Sequence, residues 1–419
     1  MDVAKVVSGL LVTAVALLSV GCGQPAASAP SPRSARTPAT TVPASSGALS
    51  LMHLRMVSAT TGWAVAVPGD GRGLGHLVRT SDAGSQWGAI GLPSSLNSPN
   101  ISAVDFQDET HAWVLVVLGA ESTGSSERAV VASTADGGAH WDTTPKFGIA
   151  GNGSGIQFVD GRHGWVFATP GAGGAIGAAD TTLYQTTDGG VHWQAIKPPS
   201  EVRGDPAAVG GLPEACPMGG PIGQPTFADA KTGWLGAFCA TPFLYVTHDG
   251  GRSWSHQNIP AFPGSASSAA DPYLQYNIDS LARLSATDVV FILHRGVTTG
   301  ANALQESAIY TTRDAGGSWT AYRLPAAALG ADFVDPMHGW IIGAGPGGDT
   351  SVRSLYSTVD GWRNWRLADG PADFFEREVS FGDRSTGLVA VPAVKLQPAE
   401  LFRTTDAGLT WGRVATVVN

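Results

Sequence analysis

Seven copies of one short pattern constrain the fold of this chain more than any other feature. The clearest copy runs from Thr186 to Trp193 and reads T-x-D-x-G-x-x-W. Threonine and aspartate side chains hydrogen-bond to nearby backbone groups and close a turn, and the glycine adopts a backbone conformation that other residues resist. We therefore interpret this segment, the T-x-D turn, as a structural hairpin turn. Its aspartates are Asp82, Asp136, Asp188, Asp249, Asp314, Asp360 and Asp406, and its tryptophans are Trp87, Trp141, Trp193, Trp254, Trp319, Trp365 and Trp411.

A second pattern, F-x-D-x-x-x-G-W, precedes each T-x-D turn. Clear copies begin at Phe158, Phe227 and Phe333, and looser copies begin at Met56, Phe106, Leu284 and Phe381. The first and last positions are seven residues apart in every copy, which predicts a second turn of fixed geometry, the F-x-D turn, between two strands. We interpret its aspartates in the same structural way: Asp108, Asp160, Asp229, Asp335 and Asp383.

The spacing of the repeats predicts a closed ring of strands. Successive T-x-D tryptophans are 54, 52, 61, 65, 46 and 46 residues apart, and periods of this size are typical of propellers or arrays. Each unit has room for four strands, which in the second unit we place at 101–106, 112–118, 129–133 and 141–144. We predict an all-β, seven-bladed β-propeller over 49–419, with four antiparallel strands per blade. The chain should begin on an inner strand near Leu51 and end on an outer strand near Val417, with closure resting mainly on packing.

A linear array is the alternative, but closure of the ring removes exposed ends and needs no capping repeats.

The first 48 residues carry a different signal. Lys5 precedes an apolar stretch at 6–20, and a small residue precedes Cys22. This pattern resembles a bacterial lipobox, so we predict that 1–22 is a lipoprotein signal peptide and that Cys22 is lipidated. A transmembrane anchor or an ordinary signal peptide remains the alternative. Residues 23–48 are rich in Pro, Ala and Ser, which predicts a disordered tether. The expected location is outside the cell membrane, with a lipid anchor.

Two other cysteines, Cys216 and Cys239, flank the first turn of the fourth blade. In an exported chain we expect them to form a disulfide. Two buried free thiols are the alternative.

Composition and motifs exclude several function classes. The formal net charge is −9, from 25 basic and 34 acidic residues, and no basic stripe is present. Nucleic acid is therefore not an expected partner. The histidines lack metal-ligand spacing, and no nucleophile elbow or phosphate loop occurs. His163 and His338 share the position before Gly-Trp, so we interpret them as part of the scaffold. We predict no catalytic residue, no metal site and no cofactor.

The T-x-D-x-G-x-x-W copies resemble the Asp-box (BNR) repeats of sialidases, sortilin-type receptors and some xyloglucan hydrolases. Together with the second pattern, they most resemble the Ycf48/Hcf136-like family of photosystem II assembly factors. The resemblance covers 49–419 and implies a propeller, but it assigns no partner-binding residue. A sialidase would need a tyrosine nucleophile and an Arg-Ile-Pro stretch before the first copy. The preceding arginines, Arg55, Arg72 and Arg79, are not followed by Ile-Pro.

Long, irregular segments predict where a partner binds. The connections at 198–224 and 255–281 are long, and the second-turn loops at 171–180 and 295–306 are irregular. We expect all of them on the side of the ring opposite the two repeated turns. We expect a monomeric, non-catalytic scaffold that binds an envelope protein or a cell-surface glycan on that side. The candidate residues are Tyr273, Tyr276, Arg295, Phe374, Phe375, Glu376 and Arg377. The alternatives are a structural envelope protein and a carbohydrate-active enzyme, which requires two converging carboxyl groups, one with a raised pKa.

Overall fold

The computed structural model describes residues 37–38, 49–68, 75–96, 100–120, 127–149, 152–169, 182–196, 223–265, 274–297, 305–344, 353–368, 378–392, 399–414 and 417–418. The predicted signal peptide with Cys22 lies outside these ranges, as does all of the predicted tether except Thr37 and Pro38. Cys216, Tyr273 and the four candidates at 374–377 also lie outside them, so the predicted disulfide stays a prediction.

Seven sheets of four consecutive antiparallel strands form the blades of a propeller, and this confirms the predicted fold class. The strands of blade 1 are Leu49–Met56, Gly62–Pro68, His76–Thr80 and Gln86–Ile90. Those of blade 2 are Asn100–Phe106, Ala112–Ala120, Glu127–Thr134 and His140–Thr143, close to the positions that the sequence predicts. Blade 3 contains Asn152–Phe158, Gly164–Thr169, Thr182–Thr186 and Gln194–Ile196, and blade 4 contains Thr226–Phe227, Gly233–Ala237, Phe243–Thr247 and Ser255–Gln257.

The last three blades follow the same plan. Blade 5 contains Leu274–Arg283, Val289–Val297, Gln305–Thr312 and Thr320–Arg323. Blade 6 contains Ala328–Asp335, His338–Ala344, Arg353–Thr358 and Arg366–Ala368, and blade 7 contains Glu378–Phe381, Gly387–Val391, Glu400–Thr404 and Gly412–Val414. A short 3-10 helix, Ser94–Leu96, follows blade 1. The short strand Phe147–Ile149 pairs with the third strand of blade 2, and Thr37–Pro38 pairs with that blade's outer strand.

Both repeated turns of each blade lie on one side of the ring. The residue after each T-x-D aspartate donates its backbone N–H to a carbonyl in the F-x-D turn of the same blade, as Gly189 does to Arg162 over 2.8 Å. We name this side the turn side. Because alternate strands run in opposite directions, the second turns and the connections between blades lie on the other side, which we name the connection side.

Aromatic rings join neighbouring blades. In four pairs of neighbouring blades, the tryptophan that ends one F-x-D turn stacks on the phenylalanine that begins the F-x-D turn of the next blade. Trp165 and Phe227 have ring centroids 3.7 Å apart, and Trp340 and Phe381 are 3.5 Å apart, each pair with an interplanar angle of 3°. The stacked rings fill the contact between sheets with large apolar surfaces, which stabilises the ring of blades.

Closure of the ring uses hydrogen bonds as well as packing. Leu51 and Leu54 of blade 1 pack with Leu388 and Leu401 of blade 7, as the sequence predicts. In addition, Val417–Val418 pairs in parallel with the outer strand of blade 1. The expectation that the chain near Val417 forms an outer strand of the last blade is therefore corrected. Gly412–Val414 fills that position, and Val417–Val418 belongs to the sheet of blade 1.

Candidate functional site

The T-x-D aspartates are held inside their turns. In every copy the threonine hydroxyl donates to the aspartate Oδ1 over 2.7–3.1 Å. The same oxygen accepts the backbone N–H four residues on. In six copies Oδ2 also accepts a side-chain hydrogen bond, for example from His192 to Asp188 over 2.7 Å. These carboxylates are arranged to order a turn.

Hydrogen bonding also sets the protonation of these carboxylates. The hydroxyl and backbone N–H of Ser318, together with Thr312, lower the pKa of Asp314 to about 2. Partial burial opposes such a shift at Asp188, but the donors on His192 and Thr186 outweigh it, so the pKa of Asp188 is also lowered. A carboxyl group with a lowered pKa is unsuited to act as a general acid near neutral pH.

The F-x-D aspartates have the same role on the turn side. Asp160 accepts the backbone N–H groups of Arg162 and His163, each over 2.7 Å, and contacts the His163 ring at 2.8 Å. Asp335 pairs in the same way with His338, and Arg384 of blade 7 also donates to it over 2.9 Å. His163 and His338, which precede Gly-Trp in their turns, are therefore partners of the turn carboxylates.

Two predicted binding residues lie on strands, which corrects their placement in long loops. Tyr276 belongs to the inner strand of blade 5, where its backbone exchanges two hydrogen bonds with Cys239 of blade 4. Arg295 lies opposite it on the second strand, pairs with Glu306 and sits over the Phe262 ring at 4.5 Å. The sequence misplaces both because blade 5 extends beyond the usual strand length, to nine and ten residues.

A polar belt, which belongs to neither of the two turn patterns, runs around the inside of the ring. It occupies the position immediately before each F-x-D turn, and its members are Arg55, Asp105, Gln157, Thr226, Arg283, Asp332 and Ser380. Several side chains bond the backbone of the next blade: Asp105 and Gln157 accept the N–H groups of Phe158 and Phe227 over 2.7 and 2.8 Å. The signal was present in the sequence, since this position is polar in all seven copies.

Charged groups of the belt have unusual environments. Asp332 is buried, and it accepts hydrogen bonds from Arg55 over 2.9 Å and from the backbone of Phe381. Burial raises the pKa of Asp332, although Arg55 and the backbone donors oppose the shift. Asp105 is partly accessible, yet desolvation raises its pKa to about 6 against the hydrogen bonds from Phe158 and Gln107. Both carboxylates join neighbouring blades.

A cavity of about 520 Å³ lies between the inner strands of blades 3, 4 and 5. It exists because the inner strand of blade 4 is only two residues long, whereas its neighbours have seven and ten. Its walls include Ile156, Gln224, Asn277 and Asp279, all on the connection side of the belt. We name it the blade 4 cavity.

A serine, a histidine and an aspartate lie near this cavity, in an order that resembles a catalytic triad. His294 Nδ1 is 2.9 Å from Ser307 Oγ, and its Nε2 is 3.8 Å from Asp279 Oδ2. However, Ser307 is buried, and its oxygen accepts the backbone N–H of Ala328 of blade 6 over 3.0 Å. Burial lowers the pKa of His294, with Asp279 opposing the shift. The hydroxyl therefore joins two blades and is not placed to attack a substrate.

Within the described ranges, no three His, Cys, Asp or Glu side chains are grouped to hold a metal ion. Over the same part of the chain, no helix has the length and apolar character needed to cross a bilayer.

No family model matches the chain, and no curated protein matches its sequence. Solved structures are similar at low identity. YCF48 bound to D1 peptide is 15% identical over 89% of this chain and 97% of that chain, with a TM-score of 0.45. A PL25 ulvan lyase is 11% identical over 88% and 96%, with a TM-score of 0.50. The Niastella koreensis GH74 enzyme is 12% identical over 85% and 61%, with a TM-score of 0.31. At 11% identity, the likeness to the ulvan lyase supports the propeller fold alone.

Proposed function

We propose that this chain is a non-catalytic binding or assembly propeller whose partner is an envelope protein or a cell-surface glycan. The observation that carries the proposal is that the aspartate carboxylates named above have structural roles. The aspartates of both turn series order turns, and the two belt carboxylates with a raised pKa, Asp105 and Asp332, bond the backbone of the next blade. Among the described residues, one carboxylate, that of Asp279, lines the blade 4 cavity. Acid–base cleavage of a glycoside needs a pair of carboxyl groups.

The connection side is the proposed binding surface. The turn side consists of segments of nearly fixed length, whereas the connection side varies from blade to blade and includes the blade 4 cavity. Variable loops on a rigid scaffold usually carry binding residues. Lipidation of Cys22 would hold the propeller at the outer side of the cell membrane.

Capture from an envelope fraction tests this proposal. The purified propeller is immobilised, and the captured proteins and glycans are compared with those held by Tyr273→Ala, Tyr276→Ala and Phe375→Ala variants. The matched control is Leu409→Ala, because Leu409 is 45% exposed on a T-x-D turn. We expect the first three variants to lose the partner while melting close to the wild-type temperature. Loss of capture with Leu409→Ala alone would place the partner on the turn side.

A carbohydrate-active enzyme is the second candidate, and the observation that favours it is the blade 4 cavity with Asp279 in its wall. If the protein is such an enzyme, it will release new reducing ends from an envelope polysaccharide. That release would fall sharply in an Asp279→Asn variant. Under the binding proposal, no new reducing ends form in either protein.

A further inference from the structure

We propose that the blade 4 cavity binds a neutral saccharide of one to a few sugar units. This inference rests on the proposed binding function and deepens it by naming the class of ligand and the place where it binds. The cavity volume, about 520 Å³, falls within the range of small-molecule pockets, roughly 300–1,000 Å³.

The polar groups of the cavity match sugar hydroxyls. Its walls carry the amides of Gln157, Gln224 and Asn277, the hydroxyls of Thr226 and Ser280, and the carboxylate of Asp279. An amide offers both donors and acceptors, as a sugar hydroxyl does. Gln157 and Thr226 already bond the backbone of neighbouring blades. Asn277 makes no side-chain hydrogen bond with the residues that the structure describes, and the Asp279 side chain is 52% exposed. These two residues are placed to contact the ligand.

The apolar part of the cavity suits the C–H faces of a sugar ring. Ile156, Phe167, Pro225, Ile278 and Leu281 line it beside the polar groups. Pockets that combine a mostly apolar wall with a few directed polar groups bind and orient small organic ligands. Blade 5 packs tightly against blade 4 at this wall, since a Cβ built on Gly236 would lie 2.5 Å from Ile278 Cβ.

The charge and the aromatic residues of the blade 4 cavity disfavour anionic and cationic ligands. No lysine or arginine is among the described residues that line the cavity, and Asp279 disfavours anionic sugars and phosphates. Among the described residues, the cavity presents no open aromatic face to a cationic side chain, because Trp165 and Phe167 are buried and Trp165 stacks on Phe227 at 3.7 Å. The Asp279 carboxylate already accepts a hydrogen bond from Ser280 over 2.8 Å. A neutral, hydroxyl-rich ligand fits this combination best.

Binding is tested with a panel of neutral trisaccharides built from glucose, mannose, galactose or N-acetylglucosamine. Saturation-transfer NMR and calorimetry are run on the wild-type protein at millimolar sugar. We expect at least one trisaccharide to bind. Asn277→Ala should weaken that binding by about tenfold, and Asn277→Phe, which places a bulky ring in the cavity, should abolish it. The matched control is Gln194→Phe, since Gln194 is exposed on the outer strand of blade 3. It should bind as the wild type does and, like the Asn277 variants, melt close to the wild-type temperature.

The outcomes separate this inference from the proposed function. If no trisaccharide binds, or if Asn277→Phe binds as well as the wild type, the saccharide site is wrong. Preferential binding of sulfated trisaccharides or of a lysine-rich peptide overturns it in the same way. If the wild type and Asn277→Phe nevertheless capture the same envelope partner, the binding function stands without this site. If neither of these two proteins binds a sugar or captures any partner, both proposals fail.

Discussion

Arg55 of blade 1 donates a hydrogen bond to Asp332 of blade 6 over 2.9 Å, although blade 7 lies between them in the ring. Both residues occupy the belt position of their blades, and Asp332 also bonds the backbone of blade 7. The pair therefore connects three blades next to the seam where the ring closes. Arginine has only donors, so Arg55 cannot accept an N–H from blade 2 as Asp105 does from blade 3.

The first prediction concerns this ion pair. Arg55→Met should reduce the free energy of unfolding by about 1–3 kcal/mol near pH 8, since it leaves a buried carboxylate without its cation while Arg55 itself is half exposed. The pKa of Asp332 is already raised by burial. The ionised Asp332 carboxylate therefore lowers the free energy of unfolding as pH rises above the pKa of the unfolded chain. This effect vanishes in acid, where the carboxyl group is protonated in both the folded and the unfolded state. The difference in the free energy of unfolding between the wild type and Arg55→Met should become smaller towards about pH 4, as measured by urea unfolding.

The double variant provides the control. Asp332→Asn should restore most of the stability that Arg55→Met loses, because no buried charge remains. An equal loss of stability at all pH values, with no recovery in the double variant, would contradict the role given to the charge pair.

The second prediction concerns Asp105, whose pKa desolvation raises to about 6 from 3.8. Below the unfolded value the group is neutral in both states. As pH rises through about 6 the folded state must carry a poorly solvated charge, so stability falls. Asp105→Asn should therefore raise the free energy of unfolding by about 1–2 kcal/mol near pH 7.5. Near pH 4 it should change stability little. Asparagine Oδ1 can still accept the N–H of Phe158.

A pH series of chemical unfolding curves checks this prediction. Lower stability of Asp105→Asn at every pH would mean that the negative charge itself is needed, for example beside Arg55 or Arg283.

The sequence predicts much of the scaffold, because the hydrogen bonds that close each turn join residues close together in the chain. A T-x-D turn is closed by hydrogen bonds within five consecutive residues, as between Thr186, Asp188 and Gly190, so its pattern alone predicts its geometry. The number of such turns then predicts the number of blades, and their spacing predicts the size of each blade. The blade 4 cavity depends instead on what three neighbouring strands do together. Nothing local predicts that the inner strand of blade 4 is short or that blade 5 covers the gap through Tyr276 and Cys239.

The third prediction separates scaffold from binding at Asp188. Asp188→Ala removes the acceptor for the hydroxyl of Thr186, the backbone of His192 and its ring. Leaving such donors unpaired should lower the free energy of unfolding by about 1–2 kcal/mol. Below the new melting temperature, partner capture should match that of the wild type. Lost capture at unchanged melting temperature would assign a binding role to the turn side.

The fourth prediction concerns the cysteines. If Cys216 pairs with Cys239, the link closes a loop of 22 intervening residues and stabilises the exported protein by roughly 3 kcal/mol in the chain-entropy description. Peptide mapping without reduction should recover the two segments as one linked species. Alkylation of both thiols in the native protein would show that they are free.

The last prediction concerns the one T-x-D turn that lacks its glycine. Trp362 has a φ of 75°, in a position where the other six copies place glycine at 87–95°. A non-glycine residue in this region is strained by about 1–3 kcal/mol. However, Trp362 is fully buried and packs edge-to-face on Phe333 at 5.3 Å, and truncating a buried aromatic costs about 3–5 kcal/mol.

Packing should therefore outweigh strain at this position. Trp362→Gly restores the pattern of the other copies, yet we expect it to lower the free energy of unfolding by about 2 kcal/mol. Trp362→Ala should be worse by about 1 kcal/mol, because alanine loses the same packing and keeps the unfavourable φ. Thermal and urea unfolding of the two variants measure this order. A Trp362→Gly protein more stable than the wild type would show that the strain exceeds the packing of the buried ring.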